Sequence, residues 1–165
     1  MAGRKAITLL ELLIVAAIVG VIVLSLSPLI RSTREQARRH TCADNMRCIV
    51  IALRNYALDQ DNRFPEDLSD LYPGHINDIK TFICPSDVDA GDIAQDGSDI
   101  DVTTSYLYAR GWTKKDPLDT ILVCDKNDIF GKDTNHRAKG GNAAYLSGEV
   151  KWVRTSEWVD PVDKE

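Results

Sequence analysis

The sequence predicts an α+β protein in which a long N-terminal transmembrane helix continues into an amphipathic helix, packed on a small antiparallel β-sheet. The first observation behind this prediction is a nearly uninterrupted apolar run over residues 7–30. The second is an apolar stripe at helical spacing from Met46 to Ala57, in a stretch without proline or glycine. The third is a series of short β-branched and aromatic segments late in the 165-residue chain.

The apolar run contains one charged side chain, Glu11. A helix over residues 7–30 would extend about 36 Å, which is enough to cross the hydrocarbon core of a bilayer. A secretory signal peptide has a shorter apolar stretch and a small-residue cleavage site at its C-terminal end, and neither feature is present here. A carboxylate inside a membrane costs at least about 2.5–3.5 kcal/mol. We therefore expect Glu11 to have a function and a partner.

Residues 6–13, Ala-Ile-Thr-Leu-Leu-Glu-Leu-Leu, resemble the prepilin-type processing and methylation motif of type IV pilins and type II secretion pseudopilins. The resemblance implies that a prepilin peptidase cuts between Ala6 and Ile7, although the family usually has glycine before the cut, and that Ile7 is then N-methylated. Thr8 and Glu11 would become the second and fifth mature residues. Gly20 and Pro28 then fall where many members of the family have glycine and proline.

This resemblance implies a filament-forming subunit assembled through its N-terminal helix, in which Glu11 neutralises the Ile7 amine of a neighbouring subunit. A pseudopilin of a type II secretion-like system is favoured over a type IV pilus pilin. Expected partners are copies of the same chain, other pseudopilins, the prepilin peptidase, an inner-membrane assembly platform and membrane lipid. The expected location is the bacterial inner membrane, with a cytoplasmic N-terminus and a periplasmic C-terminal domain. The filament would lie in the periplasm or outside the cell.

An alternative function of another class is a membrane-anchored periplasmic module that binds calcium or a partner and never polymerises. Retention of the leader and indifference to changes at Glu11 would distinguish it. The net charge of −5 makes a nucleic-acid partner a poor expectation. The sequence has no nucleophile, phosphate-loop or zinc-protease motif, so we do not expect an enzyme.

The predicted organisation is a leader over residues 1–6, an apolar helix over 7–30, an amphipathic helix over 31–61 and a globular sheet domain over 62–165. The helix is expected to end near Asp59. The residues that follow it, Arg63-Phe64-Pro65, resemble the helix exit of major pseudopilins. Strands are predicted at residues 103–109, 120–125, 142–146 and 149–153, with a tight hairpin turn at Ser147-Gly148.

The C-terminal part resembles a pilin-like group that carries a His-x9-Asp-Gly motif. Here Ser147-Gly148 follows His136 at a spacing one residue longer, with serine in place of aspartate. His136 itself has no nucleophile motif near it in the sequence. The sequence therefore favours an ordinary loop histidine that hydrogen-bonds to the backbone.

The chain has four cysteines. In an oxidising periplasm Cys84 and Cys124 could form a disulfide, although pairing cannot be read from sequence. Cys42 and Cys48 are expected to be buried thiols on one helix. Paired short spacings such as Cys-x2-Cys are absent, which argues against zinc.

No cofactor is certain from the sequence, and calcium is the possible one. Calcium prefers clustered carboxylates, and an acidic loop offers them, but solvated acidic loops are also common. The candidate ligands are Asp87, Asp89, Asp92, Asp96, Asp99 and Asp101.

Overall fold

The computed structural model describes residues 8–87, 90–126, 135–136, 140–158 and 161–164, without the side chains of residues 26–29 and 31. Helix α1 runs over Leu9–Asp59 and α2 over Ile100–Thr103. Short 3-10 helices cover Leu68–Leu71, Ile79–Phe82 and Thr155–Glu157. The strands are β1 (Tyr106–Tyr108), β2 (Ile121–Asp125), β3 (Gly140–Tyr145) and β4 (Val150–Arg154).

The fold is α+β, and its sheet is antiparallel with the strand order β1-β2-β3-β4. That part of the predicted fold class is confirmed. Helix α1 ends at Asp59, where the sequence predicts its end. The predicted first strand was too long at its N-terminal side, because Thr103 closes the short helix α2 and β1 begins only at Tyr106.

The membrane prediction is wrong. Among the described residues, no helix combines the length and the apolar character needed to cross a bilayer. The transmembrane part of the predicted fold class and the single-pass inner-membrane location are corrected accordingly.

The chain divides into two compact units, Met1–Gln36 and Ala37–Glu165. The boundary falls inside α1, so that the second half of this helix belongs to the same unit as the sheet. We call Ala37–Glu165 the head. Its apolar core contains the predicted helix stripe, since Met46, Ile49 and Leu53 are fully buried.

Residues from the sheet and from the connecting segments complete this core. The stripe of α1 shares one buried cluster with residues from the 3-10 helices, from α2 and from strands β1, β2 and β3. The largest fully buried side chains that these other elements contribute are Leu68, Leu71, Phe82, Ile100, Tyr106, Leu122 and Val123. Asn45 also donates a hydrogen bond to the carbonyl of Ile83 at 3.0 Å. The helix is therefore held in the head by apolar packing and by polar contacts at its edge.

The last two strands form the predicted hairpin. Its turn is closed by a hydrogen bond of 2.8 Å from the Gly148 N–H to the Tyr145 carbonyl. Gly148 has a φ of 91°, a left-handed conformation that glycine adopts without the steric penalty other residues meet. Glycine is therefore favoured at this position of the turn because it can adopt the required backbone conformation.

Candidate metal centre

Four buried side chains of the head converge on one point between α1 and the sheet. Their potential ligand atoms are the sulfurs of Cys42 and Cys84, a carboxylate oxygen of Asp125 and a ring nitrogen of His136, and all lie within 4.8 Å of one another. The side chains of Asp125 and His136 are 1% and 0% exposed, and both cysteines are 0% exposed. Thiolate, imidazole and carboxylate are all metal ligands, so this group could hold a metal ion.

Each member of the cluster comes from a different part of the head. Cys42 lies on α1, four residues before Met46, and so extends the buried stripe by one helical turn. Cys84 follows the 3-10 helix Ile79–Phe82, and Asp125 is the last residue of β2. His136 lies in the short described segment before β3. The tertiary fold, and no local motif, therefore assembles the site.

Asp125 is the centre of the hydrogen-bond network. Its Oδ1 accepts hydrogen bonds from Cys42 Sγ at 2.9 Å and from Asn135 Nδ2 at 2.7 Å. Its Oδ2 accepts one from the backbone N–H of Asn142 at 2.7 Å and lies 3.3 Å from His136 Nε2. A buried carboxylate is stable only when its oxygens have partners, and here both oxygens do.

One ring nitrogen of His136 faces two members of the cluster. Its Nε2 lies 3.6 Å from Cys84 Sγ as well as 3.3 Å from Asp125 Oδ2. A catalytic Cys-His-Asp triad uses both ring nitrogens, one for the nucleophile and one for the acid. In the described contacts, a sulfur and an oxygen converge on the same nitrogen, which is compatible with three ligands around one cation.

Aromatic contacts hold the imidazole in this orientation. The ring of Trp152, in β4, meets the His136 ring edge-on with centroids 5.3 Å apart. The guanidinium of Arg39 lies 4.0 Å from the centroid of the same Trp152 ring. Trp152, with Arg39 stacked on it, therefore covers the His136 ring on the side of β4.

The protonation equilibria of the cluster follow from burial and from these contacts. Burial raises the pKa of the Cys42 thiol far above its ordinary value, and Cys84 and Asp125 raise it further. The hydrogen bond with Cys42 lowers the pKa of Cys84 to about 7, against the opposing effect of burial and with help from His136. Burial lowers the pKa of His136, but its hydrogen bonds with Asp125 and Cys84 outweigh burial and raise that pKa to about 10. The cluster therefore favours a thiolate at Cys84, the form that binds metals.

The expected disulfide between Cys84 and Cys124 is not formed, and all four cysteines are thiols. Side chains alternate along a strand, so that Cys124 and Asp125 point to opposite faces of β2. Cys84 is on the Asp125 side, and the pairing was therefore wrong. Cys42 is buried as expected, but Cys48 is exposed because it lies two residues from Met46, on the other side of the helix.

The acidic loop does not gather its carboxylates. Among the described residues, the cluster of Cys42, Cys84, Asp125 and His136 is the group of convergent metal ligands that the structure contains. Asp96 accepts hydrogen bonds from Ser98, Asp99 accepts one from the Ala94 N–H, and Asp101 accepts one from the Ser69 N–H. These carboxylates cap separate backbone groups instead of sharing one cation. Asp87 and Asp92 are described but belong to no such group, and Asp89 lies outside the described residues.

The residues expected in processing and assembly lie in the first unit. Ala6 and Ile7 are outside the described residues. Thr8 precedes α1, and its Oγ1 accepts a hydrogen bond of 3.3 Å from the N–H of Glu11. This is one half of a capping box, so Thr8 has a local role in starting the helix. Gly20 lies within α1 with open space around it, and α1 also continues through Pro28.

The sequence interpretation missed all four members of the cluster as possible metal ligands, since it considered Cys84 only for a disulfide. Cys42 and Asp125 lie 83 residues apart, and Cys84 and His136 lie 52 apart. Short ligand spacings are the usual sequence signal of a zinc site, and they cannot reveal a site built from distant segments. The position of Cys42 on the helix stripe was the one available signal, because it places this thiol on the buried face. Comparisons with protein-family models, curated proteins and solved structures find no match to this chain.

Proposed function

We propose that this chain is a pilin-like subunit that forms filaments through its N-terminal helix, in the manner of a type II secretion pseudopilin. The observation that carries this proposal is the exposed apolar surface of the first half of α1. Its large apolar side chains are 50–78% exposed. They are Leu9, Leu10, Leu12, Leu13, Ile14, Val15, Ile18, Val19, Val21, Ile22, Val23 and Leu24.

This apolar surface surrounds the helix. Successive residues of an α-helix point about 100° apart, so the run from Leu12 to Val15 covers all sides. A helix that is apolar all round is normally buried, and exposed apolar patches of this kind mark interaction sites. The same helix of neighbouring subunits would cover it in a filament, with the heads outside.

Glu11 gives the assembly its register. Once helices surround it, its carboxylate lies among apolar side chains and needs a cationic partner. Cleavage after Ala6 would create such a partner, the free amine of Ile7 on a neighbouring subunit. Pairing of Glu11 with that amine would fix the axial position of each subunit relative to the next.

The test is assembly of the full chain after co-expression with a prepilin peptidase. Intact mass should show a chain that begins at Ile7. Sedimentation and electron microscopy should then show filaments for the wild type and for Glu66→Ala, which removes an exposed carboxylate of the head. Glu11→Ala should be cleaved equally well but should not form filaments.

Two results would contradict the proposal. A cleaved wild-type chain that stays monomeric over a range of concentrations would contradict the proposed filament function. Normal filaments from Glu11→Ala would exclude the pairing of Glu11 with the Ile7 amine, but they would still be consistent with assembly through the helix. A chain that resists cleavage would identify Ala6 as the obstacle, and Ala6→Gly should then restore both cleavage and assembly.

Calcium is not part of the proposed function. Calcium binds six to eight oxygens, whereas Asp96, Asp99 and Asp101 are occupied with capping separate backbone amides. The convergent group of the head supplies two sulfurs and one nitrogen with its single carboxylate. Its chemistry is that of a softer metal ion.

A further inference from the structure

We propose that Cys42, Cys84, Asp125 and His136 bind one Zn²⁺ ion, which fastens α1 to the sheet and to the segment around Cys84. The proposal does not depend on filament formation, since all four residues belong to the head. It is carried by the geometry of the ligand atoms, by their chemistry and by the groups that surround them.

Two of the separations between ligand atoms, both made by His136, fit a tetrahedral ion. With Zn–S near 2.3 Å and Zn–N and Zn–O near 2.1 Å, a tetrahedral site separates sulfur from nitrogen by about 3.6 Å and nitrogen from oxygen by about 3.4 Å. The distance from Cys84 Sγ to His136 Nε2 is 3.6 Å, and that from His136 Nε2 to Asp125 Oδ2 is 3.3 Å. Cys42 Sγ lies 2.9 Å from Asp125 Oδ1 as a hydrogen-bond donor. On metal binding the Cys42 thiol and His136 Nε2 would both release their protons to solvent. This would end the hydrogen bond from Cys42 to Asp125 and make both atoms available to the ion.

The ligand set selects zinc among common cations. Two thiolates with one imidazole suit Zn²⁺, whereas Ca²⁺ and Mg²⁺ prefer sites made of oxygen. The two thiolates and the carboxylate carry three negative charges, of which the ion neutralises two. Four protein ligands also close the coordination sphere, as in zinc sites that stabilise a fold instead of activating water.

Groups around the ligands resemble the outer shell of a metal site. Ligating carboxylates are typically held by further hydrogen bonds, and Asp125 is held by Asn135 Nδ2 and by the Asn142 N–H, both at 2.7 Å. The Trp152 ring fixes the plane of the imidazole. Asp125 and His136 are therefore oriented before an ion arrives, which reduces the ordering cost of binding.

A cavity lies beside Cys84. This residue lines a cavity of about 1020 Å³ together with Thr41 and Asn45 of α1 and residues of the segment 78–95. Polar side chains such as Asp92 and Gln95 contribute to the same lining.

The test uses the full chain, purified with a reductant, stripped with a chelator and kept in solution by a mild detergent that covers the apolar helix. Titration with Zn²⁺ should give one tightly bound ion per chain by elemental analysis and should raise Tm. Co²⁺ in its place should give the intense visible absorption of a tetrahedral ion and a thiolate charge-transfer band in the near ultraviolet.

Variants locate the ion. Cys84→Ser and His136→Ala should lose the stoichiometric ion and the cobalt spectrum, whereas Cys48→Ser and His40→Ala, which change exposed residues of α1, should keep both. Asn135→Ala retains all four ligands but removes a hydrogen bond to Asp125, and it should weaken zinc binding by about 10- to 100-fold. Because this variant retains the ligands, it tests the site even if a ligand variant fails to fold.

Three outcomes would overturn the proposal. The first is a folded, reduced wild-type chain that binds no zinc and has an unchanged Tm. The second is stoichiometric binding that survives in folded Cys84→Ser and His136→Ala. The third is an octahedral cobalt spectrum without a thiolate band, which would show an ion bound elsewhere by oxygen ligands. None of these results bears on filament assembly, so the two proposals fail separately.

Discussion

Gly141 lies where β3 passes closest to Asp125. A Cβ atom at this position would lie 2.9 Å from the Asp125 Cβ and 2.9 Å from ring atoms of Trp158. Such separations are shorter than carbon–carbon contact distances, so any larger residue must displace one of these neighbours. Glycine therefore allows the close approach in which the Asn142 N–H reaches the carboxylate.

We predict that Gly141→Ala lowers the free energy of unfolding by about 1–3 kcal/mol, the usual cost of forcing an extra methyl group into a packed site. Urea unfolding of the metal-free, reduced chain would measure it. Gly74→Ala is the matched control, because a Cβ there meets nothing within 4 Å, and it should change stability by less than about 0.5 kcal/mol. Equal effects of the two substitutions would contradict the packing argument.

Asp116 links the C-terminal segment to the loop before β2. Its Oδ1 accepts a hydrogen bond of 2.6 Å from Lys164 Nζ, and its Oδ2 accepts hydrogen bonds from Thr113. The hydrogen bond from Lys164, followed by those from Thr113, lowers the pKa of Asp116 to about 2. A lowered carboxyl pKa means that this contribution to stability is complete above the ordinary value near 3.8 and is lost as the pH falls through 2.

The indole of Trp112 offers a local probe of this contact. Its Nε1 donates to the Val162 carbonyl at 2.8 Å, and Lys164 Nζ lies 5.4 Å from the ring centroid. We predict that the indole N–H resonance shifts with a midpoint near pH 2, where the carboxylate of Asp116 gains its proton. The Asp116→Asn variant should lack this transition. A wild-type midpoint near the ordinary 3.8 would mean that Lys164 does not hold Asp116 in solution.

At the scale of elements, the part of α1 that belongs to the head packs against the core through one stripe of buried side chains. Leu53 is 0% exposed on this stripe, whereas Leu58 on the opposite side is 64% exposed. We predict that Leu53→Ala destabilises the chain by about 2–5 kcal/mol, the range for truncation of a buried leucine. Leu58→Ala makes the same chemical change outside the core and should cost less than about 0.5 kcal/mol. Denaturant unfolding monitored by near-ultraviolet circular dichroism would compare them, and similar losses would contradict the packing of α1.

The helix stripe and the hairpin could be predicted from the sequence, whereas the cluster of metal ligands could not. This difference has a physical origin. The stripe around Met46 and Leu53 is visible in the sequence because packing repeats every three or four residues along one helix. The β-hairpin is visible because Gly148 marks its turn between two β-rich segments. Both signals are local. The distances that join Cys42, Cys84, Asp125 and His136 arise only when helix, loop and sheet pack together, and no local pattern records them.

Cys124 and Asp125 illustrate the same limit within two adjacent residues. The sequence placed both near the end of a strand, and β2 does end at Asp125. Which face of the sheet lies against α1 depends on strand register and pairing, and this decides that Asp125, not Cys124, enters the cluster. The disulfide was predicted from the position of Cys124 near the end of a strand, and that position alone does not say which face of the sheet the thiol occupies.

At the scale of the whole molecule, the two units place their apolar residues differently. The first half of α1 exposes its leucines, isoleucines and valines, whereas the head buries its own in a core shared by helix and sheet. We therefore expect the head to fold without the first unit, and we expect the exposed apolar helix to drive association of the full chain. Self-association and folding should accordingly be separable properties of this chain.

A fragment that begins at Ala37 tests this separation. It retains the head with its complete core, whose first member along the chain is Cys42. We predict that it unfolds in one cooperative transition and sediments as a monomer at concentrations where the full chain associates, because it lacks the exposed apolar run. Leu53→Ala in the fragment should reduce stability by the same 2–5 kcal/mol as in the full chain, within error, since the residue contacts only the head. An unfolded fragment would show that residues before Ala37 stabilise the core, and a folded fragment that associates as strongly as the full chain would place the assembly surface on the head.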